Sequence, residues 1–223
     1  MNELVKYIGL LFDGPMQSWG FQSRFDQRTT LSYPTKSGTI GLICAAMGVA
    51  KTDRETLFRL TKLSMQSYTL VRNNNRIRRL KDFHTVGGGY DYPVEKQHIS
   101  PKADGSKGDT VVTRREFLTD AKYAIILKGE ETFLQAIGDA LKNPKWGCWF
   151  GRKSCIPAAP IFQGIFDLGE IAIQKIVETT DTKIVRKVVD VDDFEKGTDT
   201  LRDVPIDFLK REFSIRRIED KPL

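Results

Sequence analysis

Runs of apolar residues along the chain predict an alternation of strands and helices. Residues 4–12 are apolar, with β-branched and aromatic members, and stop at Asp-Gly-Pro, which is typical of a buried strand. Residues 36–49 are apolar on most sides, which predicts a helix packed deep in the core. The other predicted elements are a short helix that starts at a capping box in 52–55, strands at 65–71, 122–127 and 161–168, and an amphipathic helix at 131–141.

Residues 73–117 interrupt this pattern. Three asparagines and a basic stretch lead into a glycine triplet and a polar tract that extends to residue 108. A segment of this length without a core pattern is either disordered or an arm that folds on a partner. Its two ends, residues 78–86 and 110–117, have strand character, so we predict a long β-hairpin that projects from the body.

The predicted order is strand, helix, strand, insertion, strand, helix, strand, followed by a tail. This is the split-βαβ, ferredoxin-like order that RNA-recognition modules use. We therefore predict an α+β fold in which residues 1–168 form a ferredoxin-like (RRM-like) RNA-binding domain with the hairpin inserted at about 73–117. Residues 169–223 are predicted to form a small β-rich C-terminal extension, with apolar segments at 171–177, 184–191 and 213–218.

Charge is distributed unevenly along the 223 residues. The net charge is +6, but residues 161–223 hold 11 Lys and Arg against 14 Asp and Glu, whereas residues 1–160 hold 24 against 15. A basic N-terminal part favours a polyanionic partner such as a nucleic acid, and a basic solvated face accounts for it equally well. Three cysteines, no amino-terminal signal pattern and no run of about 18 apolar residues predict a reduced, cytoplasmic protein without a membrane partner.

Two familiar kinds of site are excluded by spacing. A P-loop ending at Lys36 and Ser37 would need glycine at positions 30 and 35, where threonines stand. Cys148 and Cys155 have six residues between them and no histidine nearby, so we expect buried thiols rather than zinc ligands. We expect neither a metal nor another cofactor.

The segments 9–20 and 33–48 together suggest a nucleotide-binding site. Lys36 and Ser37 open the predicted helix, and a helix start offers free N–H groups and a positive dipole end to a phosphate. Gln17 and Trp19 lie in the turn after the first strand, where they could contact a base. Trp19 is also a candidate packing residue, which makes Gln17 the stronger candidate for base contact.

Further candidates lie on both sides of the insertion. Arg152 and Lys153 follow a glycine that would let the backbone approach a phosphate closely, and Arg114 and Arg115 stand at the foot of the predicted hairpin. His84 could be a general base, an RNA contact or merely a hydrogen-bonded strand residue. The aromatic candidates for base stacking, which could equally be core residues, are Trp146, Trp149 and Phe150.

Taken together, the motifs are similar to those of a known family. The strand that leads into GPMQSWG, the helix start in YPTKSGTIGLICAAMG, and the segments LKDFHT, RREFLTDA, FGRKSCIP and REFSIRRI resemble the CasD-type subunits of type I CRISPR Cascade complexes, with subtype I-E the best match. Matching motifs occur in the same order across nearly the whole chain.

The resemblance implies a non-catalytic, repeat-associated protein with a ferredoxin-like fold and a β-hairpin thumb at 78–115. Such a subunit caps the 5′ handle of the CRISPR RNA (crRNA), packs against the large subunit and the first backbone subunit, and meets target DNA only indirectly. Cations would then contact phosphates and other polar groups would lie near bases. The phosphate candidates are Lys36, Ser37, Arg114, Arg115, Arg152 and Lys153, and the base candidates are Gln17, Trp19 and His84.

Two alternatives remain open from the sequence. In one branch of the family the subunit cuts precursor crRNA without a metal, and Tyr33, Lys36 and His84 could activate the 2′-hydroxyl here. The other alternative is a protein-binding scaffold whose basic arm contacts acidic neighbours.

Overall fold

The computed structural model describes residues 4–23, 26–73, 76–86 and 111–223. Its helices are α1 (Lys36–Met47), α2 (Arg54–Thr61), α3 (Glu131–Lys142) and α4 (Gly169–Thr180). Its strands are β1 (Val5–Asp13), β2 (Met16–Gln17), β3 (Gln27–Arg28), β4 (Ser64–Val71), β5 (Arg78–Val86), β6 (Val111–Thr119), β7 (Lys122–Glu130), β8 (Phe162–Phe166), β9 (Lys183–Asp190), β10 (Asp199–Asp207) and β11 (Glu212–Pro222). Within these residues no helix is long and apolar enough to cross a bilayer.

A seven-stranded antiparallel sheet in the order β10-β11-β9-β4-β7-β1-β8 forms the centre of the fold. Strand β1 lies inside it because both of its faces are apolar: Ile8, Leu10 and Phe12 belong to one core cluster and Leu11 to another. The larger cluster lies under α1, α2 and α3, and the smaller one under α4. The predicted buried first strand and the mixed α and β architecture are confirmed.

The ends of the helices follow from local chemistry. Helix α1 ends at Gly48, whose φ of +70° is the left-handed conformation that glycine adopts most easily. Helix α2 begins at Asp53, whose carboxylate accepts a hydrogen bond from the Thr56 N–H at 3.0 Å. The predicted capping box started one residue earlier, at Thr52, and that position is wrong.

A second, smaller sheet is built around β6. Strand β5 pairs antiparallel with its whole length, from Arg78 opposite Thr119 to Val86 opposite Val111. The short strands β2 and β3 pair with β6 as well, and β3 runs parallel to it. The predicted hairpin had its tip in 87–110, which lies outside the described residues, so the projecting thumb stays a prediction.

The C-terminal region is rich in strands, as predicted, but begins with a helix that was not predicted. Residues 171–177 lie in α4, because Ala172, Ile173 and Ile176 share one helical face that packs on the smaller core cluster. Strands β9, β11 and β10 continue the main sheet beyond β4. No segment was predicted at β10 because two of its buried positions are aspartates, Asp203 and Asp207. The proposed division of the chain after residue 168 stays a prediction.

Candidate nucleic-acid interface

Two of the sequence motifs, GPMQSWG and FGRKSCIP, pack against each other. The Ser18 N–H donates to the Phe150 carbonyl at 3.0 Å. Gly151 has a φ of +89°, and a Cβ there would lie 1.8 Å from the Ser18 carbonyl oxygen, so only glycine fits. This close approach brings Arg152 to the turn, where its Nε donates to the Ser18 hydroxyl at 3.0 Å.

Arg152 meets two other arginines on one face of the smaller sheet. Strand β3 places Arg28 directly opposite Arg115 on β6, so both side chains lie on the same face. Arg152 lies 5.4 Å from the ring of Phe117, which is two residues from Arg115 and therefore on that face as well. We call Arg28, Arg115 and Arg152 the arginine cluster.

The arginine cluster concentrates positive charge on a face that also carries Asp82, which lies opposite Arg115 on β5. Burial lowers the pKa of Arg152 from its ordinary value, and the charges of Arg115 and Arg28 lower it further. Among the described residues, no carboxylate forms an ion pair with any of the three arginines. Three half-buried guanidinium groups that form no ion pair within the described ranges are a strong site for an anion with several oxygens, such as phosphate.

The opposite face of the same sheet is neutralised. Arg114 forms an ion pair with Asp26 at 2.6 Å. Glu116 accepts a hydrogen bond from Arg79 at 3.0 Å and forms a longer ion pair with Lys81 at 3.8 Å. A cavity of about 180 Å³ beside these strands is lined by residues of both faces: Lys81, Arg114 and Glu116 from this face, and Arg28, Asp82 and Arg115 from the other. Arg114 and Arg115 therefore have different environments, although both were predicted to contact phosphates.

The start of α1 is closed to a phosphate. The Asp203 carboxylate accepts the Lys36 N–H at 2.7 Å, and the Thr35 hydroxyl accepts the Gly38 N–H at 3.1 Å. The Lys36 ammonium is buried and forms an ion pair with Asp190 at 2.8 Å. The prediction that Lys36 binds phosphate is therefore wrong, because the chain fills this anion site with its own carboxylates. Ser37 is half-buried beside the same cap.

Gln17 and Trp19 are core residues. The Gln17 amide donates to the carbonyls of Phe12 at 2.9 Å and Ala121 at 2.7 Å, and its oxygen accepts the Trp19 indole N–H at 3.1 Å. Trp19 is 1% exposed and stacks on Phe12, with the ring centroids 5.4 Å apart. Neither side chain presents a free polar group at the surface, so both fix the turn that positions Arg152 and neither is a base contact.

The three candidates for RNA cleavage are not joined into a site. Tyr33 is buried under the guanidinium of Arg186, and burial raises the pKa of its hydroxyl. Lys36 is held in its ion pair, whereas His84 lies on β5 opposite Thr113, in the other sheet. Within the described residues, no hydrogen bond or ion pair connects any two of the three.

Of the three aromatic residues that were candidates for base stacking, one is a core residue and two are partly exposed. Phe150 is completely buried and packs on Phe12 and Trp19. Trp149 is partly exposed beside the exposed Lys153, whose ammonium lies 5.8 Å from the indole ring. Trp146 lies elsewhere, at the C-terminal end of α1, where its backbone N–H donates a hydrogen bond to the Ala45 carbonyl at 3.1 Å.

Arg28 was missed by sequence reasoning. It lies in a polar linker and belongs to a strand of only two residues. Its role depends on the parallel pairing with β6, which brings together residues 87 positions apart. No local pattern in the linker distinguishes Arg28 from the other polar residues around it.

A Gly151→Ala substitution is expected to destabilise the protein, because the new Cβ would overlap the Ser18 carbonyl oxygen at a strained φ. The expected cost is about 2–4 kcal/mol of unfolding free energy, or a melting temperature lower by about 5–10 °C. Thermal denaturation followed by circular dichroism measures it. Gly20→Ala is the control, because a Cβ at Gly20 has no atom nearer than 3.9 Å. Equal melting temperatures for the two variants would contradict the assigned packing.

Comparisons with known proteins agree with this arrangement of motifs. The family model described as CRISPR-associated protein (Cas_Cas5) matches residues 7–219. The Escherichia coli (strain K12) protein named CRISPR system Cascade subunit CasD is 30% identical over 167 residues, which cover 71% of this chain and 70% of that protein.

Solved structures are similar over almost the whole chain. A chain of a structure titled CRISPR RNA-guided surveillance complex aligns with a TM-score of 0.73 and 31% identity, covering 97% of this chain and 89% of that one. A structure titled Crystal structure of Cas protein aligns with a TM-score of 0.65 and 26% identity, covering 97% and 94% of the two chains. The resemblance found in the sequence is thereby confirmed: this chain belongs to the CRISPR-associated Cas5 family.

Proposed function

We propose that this protein is the subunit of a type I CRISPR surveillance complex that binds the 5′ handle of crRNA through the arginine cluster. The observation that carries the proposal is the meeting of Arg28, Arg115 and Arg152 on one face without a described carboxylate partner. Guanidinium groups bind phosphate oxygens in pairs, and a single-stranded RNA end presents successive phosphates to such a face. The names of the relatives, a Cascade subunit and a surveillance complex, support the same assignment.

The proposed RNA-binding domain is ferredoxin-like. Its support is the order β8-β1-β7-β4 within the main sheet, with α1 and α2 between β1 and β4 and α3 between β7 and β8. In this order the helices of both connections pack on the same face of the four strands. The smaller sheet is not part of this unit and is therefore an appended element. Arg28 and Arg115 of the arginine cluster lie on that appended element, and Arg152 lies beside it.

The proposed role is binding without bond cleavage. It is supported by the burial of Tyr33 and by the ion pair that holds Lys36, since neither group can reach the 2′-hydroxyl of an RNA at the surface. The large subunit and the first backbone subunit of the complex are the proposed protein partners, and contact with target DNA is indirect.

Binding of handle RNA by the purified full chain tests this function. Filter binding with the repeat-derived 5′ handle of the same CRISPR locus should give a higher affinity than binding with a scrambled RNA of equal length and composition. Equal affinities would reduce the protein to a general polyanion binder and contradict the proposal. An absence of binding to either RNA, by the free chain and by the assembled complex, would favour the scaffold alternative.

Incubation with the full repeat RNA in EDTA tests the non-catalytic role. We expect the RNA to remain intact over hours, because the buried Tyr33 hydroxyl and the paired Lys36 ammonium cannot act as base or acid at the surface. A single defined cut that Tyr33→Phe abolishes would contradict this role and favour the nuclease.

A further inference from the structure

A second surface lies at the C-terminal end of α1. A cavity of about 330 Å³ opens there, between α1, the start of α2 and the loop that holds Trp146. The loop is fixed, since the N–H groups of Lys145 and Trp146 donate to the carbonyls of Ala46 at 2.9 Å and Ala45 at 3.1 Å. The cavity is therefore preformed by regular structure. The apolar residues that line it are Cys44, Ala45, Val49, Ala50, Leu57, Trp146 and Phe208.

The walls of the cavity favour an apolar guest. Trp146 is 48% exposed, so this large apolar residue is partly in contact with water. A nucleobase would lose hydrogen bonds from its polar edge in such a site, whereas a leucine or aromatic side chain would gain from burial. Exposed tryptophans beside a pocket are also the residues that most often dominate protein interfaces.

Two lysines and Asp53 carry the charges at the rim of the cavity. Lys51 lines it, and the stem of Lys145 packs over Gly48 at its edge. The neighbouring carboxylates have partners other than the two lysines. Asp53 caps α2, whereas Asp207 accepts a hydrogen bond from the Leu209 N–H at 2.8 Å and forms an ion pair with Arg54 at 2.7 Å. Hydrogen bonds from backbone N–H groups lower the pKa of both aspartates. Among the described residues, neither Lys51 nor Lys145 has an ion-pair partner, so the rim complements acidic groups.

We propose that this cavity, the α1 pocket, binds a leucine or aromatic side chain that projects from an acidic segment of another protein subunit. The proposal rests on membership of a multi-subunit complex and is independent of where the RNA binds. The pocket and the turn at Trp19 lie near opposite ends of α1, which is about 18 Å long. Loss of partner binding and loss of RNA binding are therefore separable.

Photo-crosslinking identifies the guest. The full chain with p-benzoylphenylalanine in place of Trp146 is co-expressed with crRNA and the other protein subunits of its own complex, irradiated, and mapped by mass spectrometry. We expect a crosslink to one protein segment in which a leucine or aromatic residue is flanked by Asp or Glu. The same amino acid at the exposed Gln174 of α4 is the control. Crosslinks only to RNA, only to a second copy of this chain, or no more than at position 174 would overturn the proposal.

Two sets of variants measure the contribution of the pocket. Ala45→Phe fills the cavity, and Lys51→Glu with Lys145→Glu reverses the charge of the rim. Each set is expected to weaken incorporation into the complex at least about tenfold. For Ala45→Phe, the affinity of the free chain for handle RNA is expected to fall less than about twofold. Gln174→Phe and Lys175→Glu, both on the exposed side of α4, are the matched controls and should incorporate normally.

The outcomes separate the two proposals. If Ala45→Phe does not fold, as judged by circular dichroism, the rim variant decides, because its substitutions are at the surface. Normal incorporation of the rim variant and of folded Ala45→Phe would overturn the pocket proposal and leave the RNA proposal intact. A wild-type chain that fails to bind handle RNA but gives the expected protein crosslink would overturn the proposed function and support the pocket.

Discussion

Replacing Arg115 and Arg152 together by alanine is expected to weaken binding of handle RNA by about a hundredfold or more. Hydrogen bonds to charged groups contribute about 1.5–3 kcal/mol each, so two lost guanidinium contacts amount to at least about 3 kcal/mol. The slope of log K against log salt concentration should also become shallower by about 1.4, since each phosphate contact with single-stranded RNA contributes about 0.7. Fluorescence anisotropy over a range of salt concentrations measures both quantities.

The opposite face of the same strands supplies the matched control. Lys81→Ala with Arg114→Ala also removes two positive charges from the smaller sheet, but both cations have carboxylate partners in the folded protein. This pair is expected to lower RNA affinity by less than about threefold, because neutralised cations release few counterions. Equal losses for the two double variants would mean that net charge, and not the arginine cluster, determines binding.

Replacing Arg216 by glutamine is expected to destabilise the whole fold by about 3–5 kcal/mol. Arg216 donates to both oxygens of Asp203, at 2.7 and 2.8 Å, and also to Asp190. Burial alone would lower the pKa of Arg216, but its hydrogen bonds and charge interactions with the two aspartates outweigh burial and raise it. Without the guanidinium, the buried Asp203 loses its ion-pair partner, Asp190 keeps only Lys36, and the start of α1 loses part of its support.

Urea denaturation measures the loss of unfolding free energy expected for Arg216→Gln. Arg202→Gln on β10 is the control, since Arg202 is exposed and has no ion-pair partner among the described residues. The control should change the unfolding free energy by less than about 0.5 kcal/mol. A loss for Arg216→Gln no larger than that of Arg202→Gln would show that the buried network does not hold the C-terminal strands to α1.

This network explains why part of the sequence-based site was wrong. The helix start at Lys36 has the residues of a phosphate site, and a local pattern gives no sign that it is filled. Its partner Asp203 lies 167 residues further along the chain, on a strand that the apolar pattern did not predict. A helix start suits any anion, and here the anion is a side chain of the protein itself.

Other parts of the site could be predicted because their chemistry is local. Gly151 was singled out as a position where the backbone could approach a phosphate closely. The structure shows a close approach there to the Ser18 carbonyl at a positive φ, and contact with a phosphate stays a prediction. The alternation of side chains along a strand also predicts that Arg114 and Arg115 face opposite sides, a signal that was present in the sequence and was not used. Which cations form ion pairs depends on the positions of Asp26 and Glu116, and only the folded structure reveals it.

The fold was predicted best where periodicity is strong. Strand β1 and helices α1 and α3 bury continuous apolar faces, and each was predicted within about four residues of its observed ends. Helix α4 was misassigned because its apolar residues form a short run whose β-branched members favour strand equally. Its packing on the second face of the main sheet, a tertiary contact, determines the outcome.

The position of the handle in the assembled complex is the most direct test of the central claim. A cryo-EM structure of the complex with crRNA should show handle phosphates within hydrogen-bonding distance of the guanidinium groups of Arg115 and Arg152. A handle that lies against another subunit, or against the face that carries Lys81 and Arg114, would contradict it.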